Sequence, residues 1–450
     1  MSKVTSVREL ARSVLRTLPD EGRLIKTSIR KLLVQKDLAV TRLTQHFTRM
    51  TVPDPRTVYW MSVSRIQFHT RLQKKDSADW EDWVFPQTGR IKTVQDGDWD
   101  ALRFRVADMR ICRAVEDRVR TGVPWQSTEY YRVAVKQIET GRRLWGCTDR
   151  ASFDHRCNDI DRLIESISKH GYRDGESLGP DARIHSALGH QEILINISRD
   201  GFPLFQDGRH RLAIARALGL GRIPVQILVR HSKWQMFREF MHRMARGEGG
   251  ASREGILYQN PVHFDLGDIP SEHSCEDRWN AIVRHLPSTA GIALDIGCNL
   301  GFFCHQLEEA GYSCIGVEYL PDIAYAAQRI AQAENRRFKI VTGDILAREI
   351  LDQIGTSEVA VAVALNIFHH FIKTEGGYSR LREFLGRLRI GALFFEPHHQ
   401  DDPQMKGMFS NPSPEEFARL VKDWGGFGRA TPIYTAADGR TVFMLDRQRL

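Results

Sequence analysis

The chain has 450 residues, 42% hydrophobic and 27% charged, with 64 Lys and Arg against 56 Asp and Glu. That balance excludes a disordered chain, and no apolar run reaches the ~18 residues that a membrane-spanning helix needs. Seven cysteines, an odd number with no C-x-x-C pair, argue against a disulfide framework and a structural zinc site.

No N-terminal stretch reads as a signal peptide, so the expected compartment is the cytoplasm. A chain of this length is expected to fold as two or three domains. Residues 1–50 carry eleven Lys and Arg against four acids, nearly all of the net charge of +8. Apolar stripes at Leu10, Val14, Leu15 and Leu18, and at Ile25, Ile29, Leu32 and Leu33, predict a basic helical arm. Two roles stay open for it: a hairpin packed on the body, or a surface helix that meets anionic lipid at a membrane face or another polyanion.

Residues 51–245 hold most of the tryptophans. They contain the polar turn Gly97-Asp98-Trp99-Asp100, a helical pattern at Ile160, Leu163, Ile164 and Ile167, and an alternating run at Ile193, Ile195 and Ile197 that predicts a strand. Next comes strand-like Pro203-Leu204-Phe205, followed by Asp207-Gly208-Arg209-His210-Arg211. A helix over Leu212–Leu218, stopped by Gly219, and a strand over Ile223–Val229 follow. Arg209, His210 and Arg211 therefore fall at a helix N-terminus, where cationic side chains and free N–H groups favour a phosphate.

Residues 246–256 are rich in glycine and charge without periodicity, which places a linker over 246–270 and a last domain over 271–450. A helix is expected around Trp279–Leu286. Beyond it, strand-like and helix-like runs alternate, the pattern of an open α/β sheet. Ile292–Ile296 is an apolar run containing Asp295. It leads through Gly297-Cys298-Asn299-Leu300-Gly301 into a helical pattern from Phe302. Glycines allow close approach of the backbone to a ligand, and the helix start offers unpaired N–H groups. A second strand ends at Glu318, where a carboxylate accepts hydrogen bonds from ribose hydroxyls. Asp344 follows a third strand. Val359–Leu365, apolar throughout, reads as a buried central strand and leads into Asn366 and His369-His370. A fifth strand ends at Glu396-Pro397-His398-His399, and Pro432–Thr435 and Thr441–Leu445 flank a hairpin turn.

This ordered set resembles the class I S-adenosylmethionine-dependent methyltransferases over about the last two fifths of the chain. The resemblance implies a Rossmann-like seven-stranded sheet whose last hairpin is antiparallel. It also implies that S-adenosylmethionine is held by Asp295, Gly297, Asn299, Gly301, Glu318, Asp344 and Asn366. Asn299 stands where that family usually has its middle glycine, and Asn is the next residue most tolerant of left-handed backbone. The stretch Asp207–Arg211 through Val229 resembles the ParB/sulfiredoxin-like fold, an α+β domain. That likeness implies binding of nucleotide phosphates at Asp207, Gly208, Arg209, His210 and Arg211, and for some members kinase activity with ATP or another nucleoside triphosphate and Mg²⁺. Asp207 and Glu192 are its candidate acids.

Methyl transfer mainly aligns nucleophile and methyl group; a base is needed only when the acceptor must lose a proton. His369 and His370 after the fourth strand, and Glu396, His398 and His399 after the fifth, face one crevice of a parallel sheet. His369 or His370 as general base, a packing role, and a metal site built on Glu396 and these histidines all stay open. No pair there has the i, i+4 spacing of metal ligands. The function expected is a methyltransferase with a nucleotide-binding, kinase-like domain, acting on a phosphorylated surface glycan or small molecule. The rival is a nucleic-acid methyltransferase gripping DNA or RNA through the ParB-like domain and the arm, or a ParB-like domain that acts as a non-enzymatic nucleotide switch; a body of only about +1 weighs against nucleic acid.

Overall fold

The computed structural model describes residues 52–54, 57–70, 94–101, 103–173, 192–247, 256–288, 291–355 and 358–447. The basic arm expected at 1–50 lies outside the described residues. The chain divides into two compact units, Met1–Glu239 and Phe240–Leu450.

The N-terminal unit contains strands β1 (Val58–Ser62), β2 (Phe68–Thr70), β3 (Val94–Gln95) and β4 (Arg103–Arg105). Helices α1 (Arg110–Thr121), α2 (Glu129–Glu139) and α3 (Arg150–His170) come next. Then come β5 (Ile193–Ile197), β6 (Pro203–Asp207), α4 (Arg209–Ala217) and β7 (Arg222–His231), and α5 (Ser232–Ala245) carries the chain across the division. The seven strands form one mixed sheet in the order β1-β7-β5-β6-β2-β4, with β3 pairing on β7. Capping fixes the long helix α3: the Asp149 carboxylate accepts from the Ser152 amide at 2.7 Å while Ser152 Oγ accepts from the Asp149 amide, satisfying two otherwise orphaned donors. The alternation in β5 predicts one wet face, yet all five of its residues are buried. It sits between β7 and β6, and Asn196 keeps its polarity by donating to Gln206 Oε1 at 2.8 Å.

The C-terminal unit opens with the parallel pair β8 (Leu257–Gln259) and β9 (Ser271–His273), so ordered structure begins within the stretch read as linker, and α6 (Glu276–Ile282) follows. Then strands and helices alternate: β10 (Ile292–Ile296), α7 (Phe302–Glu309), β11 (Ser313–Glu318), α8 (Pro321–Ala333), β12 (Lys339–Thr342), α9 (Arg348–Ile354), β13 (Glu358–Leu365), α10 (Glu375–Arg387), β14 (Arg389–Glu396) and α11 (Pro414–Gly425). Strands β15 (Arg429–Thr435) and β16 (Thr441–Asp446) complete a seven-stranded sheet in the order β12-β11-β10-β13-β14-β16-β15. The first five run parallel, and β16 enters antiparallel between β14 and β15.

Both faces of this sheet are covered, which explains the continuous apolar runs of its central strands. Leu294, Ala362, Ala364, Leu393 and Phe395 pack into one core, while Ala293, Val361, Val363 and Phe394 pack into the other. The period of two thus assigns alternate residues to opposite layers. The strand order reverses between β10 and β13, and in such sheets a crevice opens at the carboxyl ends of the strands on either side of that switch.

Candidate active site

The crevice is bounded by the glycine turn after β10 and by the end of β13. Asp295, Gly297, Asn299 and Asn366 line it on the sheet side. Tyr258, Gln259, His273, Cys275 and Arg278 line it from the segment before β10. The turn is drawn tight by hydrogen bonds from the Gly297 and Cys298 amides to the Val317 carbonyl at 2.9 and 3.0 Å. Gly297 has φ +73°, and a Cβ there would lie 2.9 Å from the Ile367 side chain. Asn299 takes φ +50° and Gly301 φ +83°, so asparagine performs the left-handed step at the usual glycine position.

Glu318, at the end of β11, anchors the turn. Its Oε2 accepts from the Asn299 amide at 3.0 Å and its Oε1 from the Leu320 amide at 2.9 Å. Burial raises its pKa, opposed by the amides of Leu320, Asn299 and Tyr319. Each oxygen keeps a second lone pair, which suits the two hydroxyls of a ribose. Asp295, 2% exposed, accepts from the Cys304 thiol at 3.4 Å. Burial pushes its carboxyl up to about 7; the thiol opposes the rise and the charge of Glu318 adds to it. Two acids beneath a glycine turn fit a donor that carries an ammonium, a sulfonium and a ribose diol. Asp344 sits after β12 with Oδ1 on the Leu346 amide at 2.9 Å and Oδ2 on Arg380 at 2.6 Å.

The end of β13 meets the end of β14 through a buried polar network. Asn366, at φ +54°, donates its Nδ2 to Glu396 Oε2 at 2.6 Å. Arg278 from α6 donates its Nε to Glu396 Oε1 at 3.0 Å, and reaches Asp438 at 3.0 Å and Asp277 at 3.1 Å. Burial raises the Glu396 pKa against the opposing charge of Arg278. Glu396 is thus the hub of an internal network, fully buried.

Beyond it, His398 Nδ1 lies 2.9 Å from Asp402 Oδ2, and Arg440 donates to the same oxygen at 3.1 Å. The His369 ring lies 4.0 Å from that of His398 and 3.9 Å from that of His370. His369 is driven down to about 2, first by burial and then by His370, His398 and Lys373. His370 is exposed, with Lys373 Nζ 3.1 Å from its Nδ1, and His399 Nε2 meets the Gly439 carbonyl at 3.0 Å. Among the described residues no group of three or more His, Cys, Asp or Glu is arranged to hold a metal ion. Tyr258, His273, Arg278, Asp402 and Arg440 escape the sequence reading, because they reach the site from separate stretches of chain that no motif links.

In the N-terminal unit, Gly208 (φ +93°) turns β6 into α4, and a Cβ there would lie 3.2 Å from Ile193 Cα. The Asp207 carboxylate accepts from the Gly208 amide at 2.7 Å, and Arg211 donates to the Glu192 carbonyl at 3.1 Å. His210 Nε2 lies 3.3 Å from Tyr130 OH. Burial first, then Arg156, Arg209 and Arg211, hold its pKa well below the ordinary value. A further basic side chain, Arg156 from α3, approaches this turn. Arg156 and Arg209 lie 5.4 and 5.6 Å from the centre of the Trp145 ring.

No family model matches the chain. Two curated proteins do, both O-antigen chain terminator bifunctional methyltransferase/kinases named WbdD from Escherichia coli. One is 22% identical over 182 residues, 37% of this chain and 25% of the relative. The chain spans about a quarter of the length of these relatives. Among solved structures, a bifunctional kinase-methyltransferase WbdD aligns with a TM-score of 0.36 and 18% identity over 44% of this chain and 45% of the other. The N-terminal domain of EvdMO1, solved in the presence of SAH and D-fucose, aligns at 0.32 and 15% over 47% and 97%. An O-methyltransferase family protein from Burkholderia thailandensis aligns at 0.30 and 13% over 38% and 56%. No described helix is long and apolar enough to cross a membrane.

Proposed function

We propose that the C-terminal unit is an S-adenosylmethionine-dependent methyltransferase and that the N-terminal unit binds a nucleotide phosphate, with a glycan or glycan-like small molecule as acceptor. Glu318 carries the first half: it is locked by two amides beside the Asn299 wall of the crevice, with acceptor capacity left for a ribose. Asp295, Gly297, Asn299, Gly301 and Asn366 would complete the donor site, with Asp344 at its far end. The donor supplies an activated methyl group; the chain orients it and excludes water.

The similarity to WbdD, a methyltransferase/kinase by name, supports the pairing of activities and the glycan class. In the N-terminal unit, the turn at Gly208 and the cations Arg209, Arg211 and Arg156 support a bound phosphate and a ParB/sulfiredoxin-like reading, with ATP and Mg²⁺ as candidate ligands. Asp207, which would orient the motif or act as a base, and Glu192 are the candidate acids for a kinase step. The boundaries proposed are an arm over 1–50, a phosphate-binding domain over 51–245, a linker over 246–270 and the methyltransferase over 271–450.

Calorimetric titration of the full chain with S-adenosylhomocysteine tests the first half. Binding by the wild type that is lost in Asp295→Ala and Glu318→Ala is expected; no heat with wild type refutes it. Incubation with labelled ATP and sugar or polyol acceptors tests the second, and absence of turnover removes the kinase.

A further inference from the structure

The histidine cluster at the carboxyl end of β14 holds three buried ring nitrogens with no hydrogen-bond partner among the described residues, both of His369 and the Nε2 of His398, and of the two rings it is His398 that has its other nitrogen held by a carboxylate. His398 is 2% exposed, its Nδ1 is engaged by Asp402, and its Nε2 has no hydrogen-bond partner among the described residues. Buried polar atoms are almost always paired, so this one calls for a partner. Asp402 is fixed in turn. Although its own burial opposes ionisation, the Gln404 amide, His398 and Arg440 hold it at about 2. An ionised carboxylate on Nδ1 makes that nitrogen the proton-bearing one and leaves the lone pair on Nε2. Burial keeps the ring neutral, against the pull of Asp402.

The surrounding charge bears on what binds there. Arg278 is spent on Asp277, Glu396 and Asp438, and Arg440 on Asp402 and Asp438, at 3.0 to 3.9 Å. Two guanidinium groups therefore face four carboxylates, and the neighbouring rings of His369 and His398 are held neutral by burial. Lys373 stands only at the outer end, against the exposed His370. Glu396 and Asp402 are 0% and 16% exposed while Asp277 and Asp438 reach toward solvent; the net-negative balance disfavours a phosphate dianion, and a phosphate, already ionised, needs no base.

We propose that His398 is the general base of this site, with Asp402 and Arg440 as positioning residues, and that the methyl acceptor is a neutral alcohol rather than a phosphate monoester. This rests on the methyltransferase reading of the crevice. His398 takes the hydroxyl proton at Nε2 as the acceptor oxygen bonds to the methyl carbon. The electron pair of the broken carbon–sulfur bond stays on the donor's sulfur, and the imidazolium then releases its proton to solvent. The acceptor hydroxyl supplies the partner that Nε2 lacks.

The test uses the full chain, with nitrogen NMR of its histidines and labelled methyl transfer into a cell glycan fraction. Without any donor, His398 is expected to carry its proton on Nδ1 between pH 6 and 8, and Asp402→Asn to move it to Nε2, because the new amide donates to Nδ1. His398→Asn is expected to lower label incorporation by roughly 100-fold or more with unchanged affinity for S-adenosylhomocysteine. The label should survive acid hydrolysis as an O-methyl sugar. A proton on Nε2 in the wild type, full incorporation by His398→Asn, or label recovered as methyl phosphate overturns the proposal. Wild type that fails to bind S-adenosylhomocysteine overturns the methyltransferase reading and the base with it.

Discussion

Arg278→Ala is the most informative single change to the C-terminal unit. It strips Glu396 of its guanidinium and leaves a fully buried carboxylate with Asn366 as its remaining side-chain hydrogen-bond donor. Breaking a buried ion pair from one side costs about 3–5 kcal/mol, because the abandoned charge is desolvated and uncompensated. The other two partners, Asp277 and Asp438, are 36% and 37% exposed and add little. For a unit of this size the loss corresponds to a fall of roughly 6–20 °C in its melting temperature.

The loss must also depend on pH. Without Arg278 the folded-state pKa of Glu396 rises further above its unfolded value. Stability is then fully present below the ordinary glutamate pKa and is lost as pH climbs through the raised one. Calorimetry at pH 5 and pH 8 should show a small deficit at the first and the full deficit at the second, and Glu396→Gln added to Arg278→Ala should restore most of it. A deficit under about 1 kcal/mol at pH 8, or the same deficit at both pH values, would refute the reasoning.

Asp295→Asn should flatten another pH dependence. A carboxyl raised to about 7 in the fold costs the wild type stability as pH rises toward and through 7, on the order of a few kcal/mol. Melting of wild type and variant across pH 5–8 checks this, and parallel curves would count against it. Gly391→Ala should cost about 1–3 kcal/mol, since its Cβ would lie 2.6 Å from the Ala360 carbonyl oxygen on the paired strand; urea unfolding reads the loss. Arg156→Ala should weaken binding of Mg-ATP roughly tenfold or more in a calorimetric titration, while Arg120→Ala, an exposed pair with Glu116, should leave it unchanged.

The strand, glycine turn and helix at 292–309 were legible because local chemistry dictates them: an apolar run, residues that tolerate positive φ, then helical periodicity. The same holds for Glu318, placed by its distance from the turn, and for the late hairpin. The polar network was not legible. Arg278 meets Glu396 across 118 residues and Asp438 across 160, and no periodicity encodes such a pairing. The histidine cluster showed the same limit. Chain position made His369, His370 and His398 alike, and only Asp402, reached after a turn, distinguishes His398. At Asp207–Arg211 the spacing suggested three side chains working together; burial holds the His210 pKa well below its ordinary value, and Arg156, from a helix more than fifty residues earlier, approaches the same Trp145 ring as Arg209, a meeting that no spacing encodes.

The position of β16 bears on how the protein is made. It follows β15 in the chain yet lies between β14 and β15. Until residues 441–446 leave the ribosome, β14 has one unsatisfied backbone edge bearing the apolar Leu393, Phe394 and Phe395, and β15 has nothing to pair with. A nascent chain at that stage offers a template for neighbouring chains. Truncation before Thr441 is therefore expected to send the product into inclusion bodies, even though the crevice residues have all been synthesised.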